Sequence, residues 1–213
     1  MIELKEKVYN SLKIKIITQG LKPGEKINAN RIMEEYGIGK TPLREVFLDL
    51  QRDGLIKSYP RSGTLVSSID IIELRDASPI RVLLEGLAGE LAVKNISEEQ
   101  LARCEHLVNA LRHVDPANDL ESLVTDDTAL HNLLYEATGN KLLHRLLQGL
   151  QCTYSRYWFS FQFQHGDMGT HIIEWESILE ALKARDGEKV KRLLVTHVEN
   201  FLKRIKDIII QTN

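Results

Sequence analysis

Residues 37–54 constrain this chain more than any other stretch. Gly37-Ile38-Gly39 reads as a tight turn, and Lys40-Thr41-Pro42-Leu43-Arg44-Glu45-Val46-Phe47 opens a helix behind it. Leu43, Val46, Phe47 and Leu50 recur at i, i+3, i+4 and i+7, the apolar stripe of a helix laid on a small core. Pro42 suits a first turn, where its missing N–H would have no partner anyway. Lys40, Thr41 and Arg44 gather at the helix start, off that stripe, and Gly54 follows the last apolar residue as a stop. A helix entered through a glycine-containing turn, with donors at its N-terminal end, is what a reader of the DNA major groove requires.

The neighbouring segments complete a module. Leu4, Val8, Leu12 and Ile16 predict a helix over 4–19. Leu21-Lys22-Pro23-Gly24 is a turn, and Asn28 offers an N-cap to a short helix reaching about Tyr36. Residues 55–58 and 64–67 are β-prone and flank Tyr59-Pro60-Arg61-Ser62-Gly63, which predicts a hairpin. Three helices and a hairpin make a winged helix-turn-helix over 1–69, with Arg61 at the wing tip and Lys57 nearby. From Ile71 every signal is helical. Ile80, Leu83, Leu84, Leu87, Ala88 and Leu91 define a helix to about Lys94, and Ser97-Glu98-Glu99-Gln100 is a capping box for the next. Asp115-Pro116-Ala117-Asn118 is a loop. Helices are expected over 119–138, 141–165, 170–184 and 187–211, with a break at 165–169. The expected architecture is mainly α: the winged module plus an all-α antiparallel bundle over 70–213.

Charge agrees with two modules. Net charge is −2. Residues 1–70 hold 12 Lys+Arg against 9 Asp+Glu, and the remainder holds 16 against 21, so a basic part precedes an acidic one. No apolar run is long enough to span a bilayer and no signal peptide is apparent, so a cytoplasmic protein with no membrane partner is expected. Cys104 and Cys152 lack metal-ligand spacing and read as reduced thiols.

At this point the residues resemble a family. Leu21-Lys22-Pro23-Gly24, Gly37 to Glu45, and Asp53-Gly54-Leu55-Ile56 followed by Arg61-Ser62-Gly63 resemble the winged-helix domain of GntR-family bacterial transcription regulators. Arg81 to Glu85, Asp127 to His131 with Gly139-Asn140, and Glu180-Ala181-Leu182 through Asp186 to His197 resemble the FCD effector domain of that family's fatty-acid-regulator-like branch. The resemblance implies a homodimer that binds a short pseudo-palindromic double-stranded DNA operator and is switched by a small-molecule effector. It implies DNA contacts from Lys40, Thr41 and Arg44, from Asn30 or Arg31 on the second helix, and from a wing carrying Arg61 and Gly63. Arginine can grip a guanine edge bidentately, and hydroxyl or backbone N–H groups suit phosphates. The family's usual arginine on the second helix is replaced by Asn30, with Arg31 beside it. For Lys40 and Arg44, a merely solvated basic face is the bland alternative.

Asp127 and His131 lie four apart on one helix and face one way. Many FCD members hold a divalent metal with one Asp and three His. The resemblance assigns Asp127, His131 and His197 to that set, but the remaining position, 22 residues before His197, is Trp175, which cannot ligate a metal. His171 lies one helical turn earlier, an axial offset that argues against its serving as a replacement. Three readings are open. One divalent metal (Zn, Ni or Mn) is kept by three protein ligands; or metal is lost and Asp127, His131 and His197 hold an organic effector with Trp175 as an apolar wall; or these are satisfied interior polar residues. Arg81 and Arg156 could supply charge for an acidic ligand, and small organic acids are what the resemblance implies. Arg81 also pairs simply with Glu85 one turn on. The aromatic run Tyr154, Tyr157, Trp158, Phe159, Phe161 and Phe163 is expected mostly in the core or a dimer surface. The resulting expectation is a ligand-responsive DNA-binding regulator without catalysis. The rivals are a metal-dependent hydrolase using Asp127, His131 and His197, and a purely architectural DNA binder.

Overall fold

The stripe expected at 43–50 does centre the N-terminal unit. Val46 and Leu50 have no exposed surface, Leu43 is buried and Phe47 is half-buried. Burying side chains of this size stabilises by about 1.5–3 kcal/mol each. The computed structural model describes residues 2–61, 63–115, 119–162 and 168–211. The expected wing residue Ser62, loop residues 116–118, Phe163, and residues 165–167 of the expected break lie outside the described residues.

Two compact units emerge, Met1–Asp70 and Ile71–Asn213. The first contains α1 (Ile2–Ile17), α2 (Ala29–Tyr36), α3 (Lys40–Arg52), β1 (Ile56–Tyr59) and β2 (Gly63–Val66). Helix α1 buries Val8, Leu12 and Ile16, the every-fourth residues of its sequence pattern, and packs on α3. Asn28 caps α2 by accepting the Arg31 N–H at 3.1 Å. Gly39 precedes α3 with no side-chain cap, so the first N–H groups of α3 have no capping side chain from that position. The strands pair antiparallel, Ile56 opposite Val66 and Tyr59 opposite Gly63. The segment before α2 ties onto the hairpin: Ile27 N–H donates to Thr64 O and Val66 N–H to Glu25 O, both at 2.9 Å. Gly63 adopts φ +93°, a conformation that favours glycine at this corner of the wing, where a Cβ would also push the end of the Lys26 side chain aside.

The second unit contains α4 (Ile71–Asn95), α5 (Glu98–His113), α6 (Leu120–Ala137), α7 (Lys141–Tyr157), a π-helical turn (Trp158–Gln162), α8 (Met168–Lys183) and α9 (Gly187–Gln211). Among the described residues no strand follows Val66. The capping box is present: Ser97 Oγ accepts the Gln100 N–H and Gln100 Oε1 accepts the Ser97 N–H. The helix expected over 141–165 is α-helical only to Tyr157, where it widens into the π turn. Helix α4 packs chiefly on α9. A Cβ at Gly89 would stand 3.0 Å from Leu194 Cδ1 and 3.1 Å from the Lys191 backbone nitrogen, so the absence of a side chain there lets the two helices close up.

The middle of helix α4 departs from its hydrophobic pattern. Ile80, Leu83 and Leu87 are 54%, 74% and 41% exposed, whereas Arg81 and Glu85 are buried. The large apolar residues at 80, 83 and 87 face outward, Leu84 and Leu91 are half-buried, Ala88 is buried, and the charged pair faces the bundle interior. No helix among the described residues is long and apolar enough to cross a membrane. Cys104 and Cys152 are buried and form no disulfide with each other, and burial pushes the Cys104 thiol up to about 12.

Candidate functional site

The buried polar residues of α4 and α6–α9 converge. Asp127 on α6 is the hub. Its Oδ1 accepts from His171 Nε2 at 2.9 Å and from Trp175 Nε1 at 3.2 Å, both on α8. His131 Nε2 stands 3.8 Å from the same oxygen. Oδ2 accepts from Gln151 Nε2 on α7 at 3.2 Å. Gln151 Oε1 in turn accepts from Arg81 Nη2, and Arg81 Nε donates to Glu85 Oε1 at 3.2 Å. Tyr154 lies under the Arg81 guanidinium, 4.1 Å from ring centroid to Cζ. One polar chain thus crosses α4, α7, α6 and α8. Buried polar groups of this kind are tolerable because nearly every member is hydrogen-bonded.

Proton positions follow from the partners. The Tyr135 hydroxyl donates to Glu85 Oε1 at 2.7 Å, so at its 3.2 Å contact with His131 Nδ1 it accepts. The His131 proton then sits on Nδ1 and Nε2 presents a lone pair toward Asp127. Burial holds the His131 imidazole well below its ordinary pKa, against the opposing pull of Asp127. Burial also raises Asp127, but the His131, His171 and His197 rings outweigh it and hold the carboxyl well below its usual range. On α9, His197 Nδ1 donates to Glu174 Oε2 at 2.6 Å. Glu174 Oε1 accepts from Asn200 at 2.9 Å and Arg204 at 3.1 Å. Burial raises Glu174, yet His197 and then Arg204 and Asn200 bring it to about 2.

These groups surround a cavity of about 30 Å³, lined among others by Arg81, Asp127, His131, His171, His197 and Arg204. Trp158, on the π turn, also lines it, stacked 5.2 Å from His171. Two buried donors of these lining residues, Trp158 Nε1 and Arg204 Nε, have no hydrogen-bond partner among the described residues. Such a volume holds one or two waters or a small ion.

The structure therefore brings Arg81, Asp127, His131, His171 and His197 to one cavity. Arg156 is buried but is not among the lining residues; burial lowers its pKa. Trp175 is fully buried beside the site and acts as a hydrogen-bond donor rather than only an apolar wall. The axial offset of His171 does not keep it away: residues i and i+4 share a helix face, and Asp127 Oδ1 accepts from both His171 and Trp175. For a divalent metal the donor chemistry fits, through a set the sequence did not suggest. His171, Glu174 and His197 each bring a ligand-type atom within 4.8 Å of the other two. Imidazoles and carboxylate would hold such an ion, which would offer a Lewis-acidic point for an anion. Glu174, Gln151 and Arg204 were missed by sequence reasoning. The usable signals were the i, i+3 spacing of His171 and Glu174 and the i, i+7 spacing of His197 and Arg204, which place each pair on one helix face.

In the N-terminal unit, Lys40, Thr41 and Arg44 are exposed at the start of α3, and Asn30 and Arg31 are exposed at the start of α2. Arg61 is exposed at the hairpin with φ 68°.

The chain matches the GntR family of bacterial regulatory proteins over residues 4–66 and the FCD domain over residues 76–200. It is 26% identical to the uncharacterized HTH-type transcriptional regulator YdhC of Bacillus subtilis, over 94% of this chain and 90% of that protein. It is 24% identical to the HTH-type transcriptional repressor RspR of Escherichia coli, over 95% and 89%. The solved structure of E. coli McbR/YncC has the same fold, with a TM-score of 0.81 at 24% identity over 100% of both chains. A GntR regulator from Rhodococcus gives 0.73 at 19% identity, over 95% of this chain and 97% of that one. The chain belongs to the GntR family, in the group that carries an FCD domain, whose members are DNA-binding transcription regulators and not enzymes.

Proposed function

We propose that this regulator acts as a homodimer on a short pseudo-palindromic operator, and that a small oxyanion-bearing molecule in the helical unit switches its affinity for DNA. The observation that carries the ligand reading is the pair of buried N–H groups of two cavity-lining residues, Trp158 Nε1 and Arg204 Nε, without partners among the described residues. An unmet buried donor costs about 1–3 kcal/mol, which a carboxylate or similar anion would recover. Arg81 adds a guanidinium to the lining of the same cavity.

Lys40, Thr41 and Arg44 are the groove-facing residues in this reading, with Arg61 and Gly63 on the wing and Asn30 and Arg31 on α2. The partner surface in the dimer is the outward apolar stripe of α4, with Leu142 and Leu146 exposed on α7, which packs beside it. A divalent ion at the cavity would give the anion a second anchor. The hydrolase alternative is not favoured by membership in a regulator family.

Fluorescence anisotropy of a labelled operator, titrated with and without a panel of the smallest oxyanions, formate, acetate and phosphate among them, tests the switch. A tenfold to hundredfold change in affinity, about 1.4–2.7 kcal/mol of coupling, is expected with at least one compound. Trp158→Phe and Arg204→Gln should abolish that response and leave ligand-free DNA binding intact. An unchanged affinity with every compound would instead support an architectural DNA binder.

A further inference from the structure

We propose that Lys26, which lies outside the hairpin in sequence, is part of the DNA-contacting wing: with Lys57 it holds phosphates of the duplex backbone, a contact that positions the wing without reading bases. The inference rests on the reading of the winged unit as the DNA-binding part.

Sheet register is the first support. The segment before α2 pairs antiparallel with β2, Lys26 opposite Leu65, between the two hydrogen bonds that join Ile27 to Thr64 and Val66 to Glu25. On its other side Leu65 faces Lys57 of β1. Residues directly opposite one another in adjacent strands project from the same face. Lys26, Leu65 and Lys57 therefore form one row across the wing, two exposed lysines flanking a half-buried leucine. That face is the solvent side, because Ile56 and Val66, one residue along in each strand, are buried. Lysine stems can cover a leucine while their ammonium groups stay in water.

Gly63 is the second. It lies two residues from Leu65 and so on the same face, which is bare there, and the Lys26 chain runs across it. A Cβ at Gly63 would stand 2.9 Å from Lys26 Cε and 3.6 Å from its Nζ. The lysine thus leans along the wing toward the tip, where Arg61 is exposed. A cation laid down in this way loses less freedom on meeting a phosphate than one on a free stem.

Charge is the third. The side chains of Lys26, Lys57 and Arg61 make no ion pair or hydrogen bond among the described residues. The carboxylate next to Lys26, that of Glu25, accepts the Lys22 N–H at 2.9 Å. The lysines of α1 differ: Lys5 pairs with Glu45 and Asp49, and Lys15 with Glu35. Uncompensated cations gathered on one projecting element are the footprint of a polyanion site. An ammonium is a point charge suited to phosphate, without the fork that grips a base edge.

The test is fluorescence anisotropy at several salt concentrations, with a labelled duplex selected by the wild-type chain from a random pool and a scrambled duplex of the same length. Losing one phosphate contact lowers the slope of log affinity against log salt by about 0.9 for each bound chain. Lys26→Ala and Lys57→Ala should each show that drop on both duplexes, and the double variant about twice as much, with the preference between duplexes unchanged. Lys26→Gln keeps most of the stem over Gly63 and removes the charge, so it should match Lys26→Ala, whereas Lys26→Arg should keep the wild-type slope. Lys189→Ala, which removes an exposed charge on α9, should leave the slope as it is. Thermal melts check that each variant is folded, and Lys26→Gln carries the decision if Lys26→Ala is not. An unchanged slope in Lys26→Gln or in Lys57→Ala overturns the proposal. So does a changed preference between the duplexes, which would make the lysine a base contact. Wild-type binding that falls steeply with salt, with the Lys26 variants no different, removes only this phosphate contact, whereas a wild-type chain that binds no duplex removes the DNA-binding reading beneath it.

Discussion

The indole N–H of Trp175 and the Nε2 of His171 both meet Asp127 Oδ1, at 3.2 Å and 2.9 Å. A single buried carboxylate oxygen is therefore held by two residues one helical turn apart. Trp175→Phe keeps the aromatic bulk and removes one of these donors. We expect it to destabilise the chain by about 1–3 kcal/mol, measured by urea denaturation. In a double-mutant cycle with Asp127→Asn the two changes should couple by about 0.5–3 kcal/mol. Strict additivity would mean that the indole contributes packing alone.

Acid should destabilise the helical unit in two stages. His131 is depressed in the folded state, so the unfolded chain takes up a proton below its ordinary value of 6.5 while the folded chain does not. Asp127 and Glu174 are depressed from ordinary values of 3.8 and 4.5, so the stability they contribute is present above those values and is lost as pH falls toward their folded values. For chelator-treated protein, the melting temperature should decline gently below about pH 6.5 and steeply below about pH 4.5. His131→Gln should flatten the first stage and Asp127→Asn part of the second. A melting temperature that rises on acidification would contradict these protonation states.

Leu83 is 74% exposed in the middle of the outward apolar stripe of α4. If that face is the subunit contact, Leu83→Glu puts a charge into a desolvated surface. The dimer should shift to monomer at micromolar concentration in analytical ultracentrifugation, with the helical content unchanged. A dimer as stable as the wild type would move the contact elsewhere.

Arg44 and Lys40 should fail in different ways. Arg44→Ala is expected to cost about 1–3 kcal/mol and to relax preference at one base pair. Lys40→Ala should weaken all sequences alike and reduce the slope of log affinity against log salt by about one. Equal losses on every duplex for Arg44→Ala would make it a phosphate contact.

The winged unit was legible because its signals are local. Asn28 caps where a cap residue stands, the 43–50 stripe is buried, and the hairpin falls between β-prone runs. The helical content of the second unit was legible for the same reason. Which face of α4 turns inward was not. Periodicity finds the apolar stripe, yet Arg81 and Glu85 are internal, paired with each other and hydrogen-bonded by Gln151 and Tyr135 from other helices. The site was half legible. Asp127, His131, Arg81 and His197 do meet at the cavity, but Gln151 and Arg204 reach it, and Glu174 reaches His197, through the packing of α7, α8 and α9; spacing within a helix shows only which residues share a face, not which helices meet.

The most direct measurement is selection of duplexes from a random DNA pool by the full-length chain, followed by anisotropy titration of the enriched sequence at several salt concentrations. An enriched inverted repeat, bound by two chains with affinity falling steeply as salt rises, is the expected result. A pool with no enriched sequence, or binding indifferent to salt, would contradict sequence-specific DNA recognition by the Lys40–Arg44 end of α3.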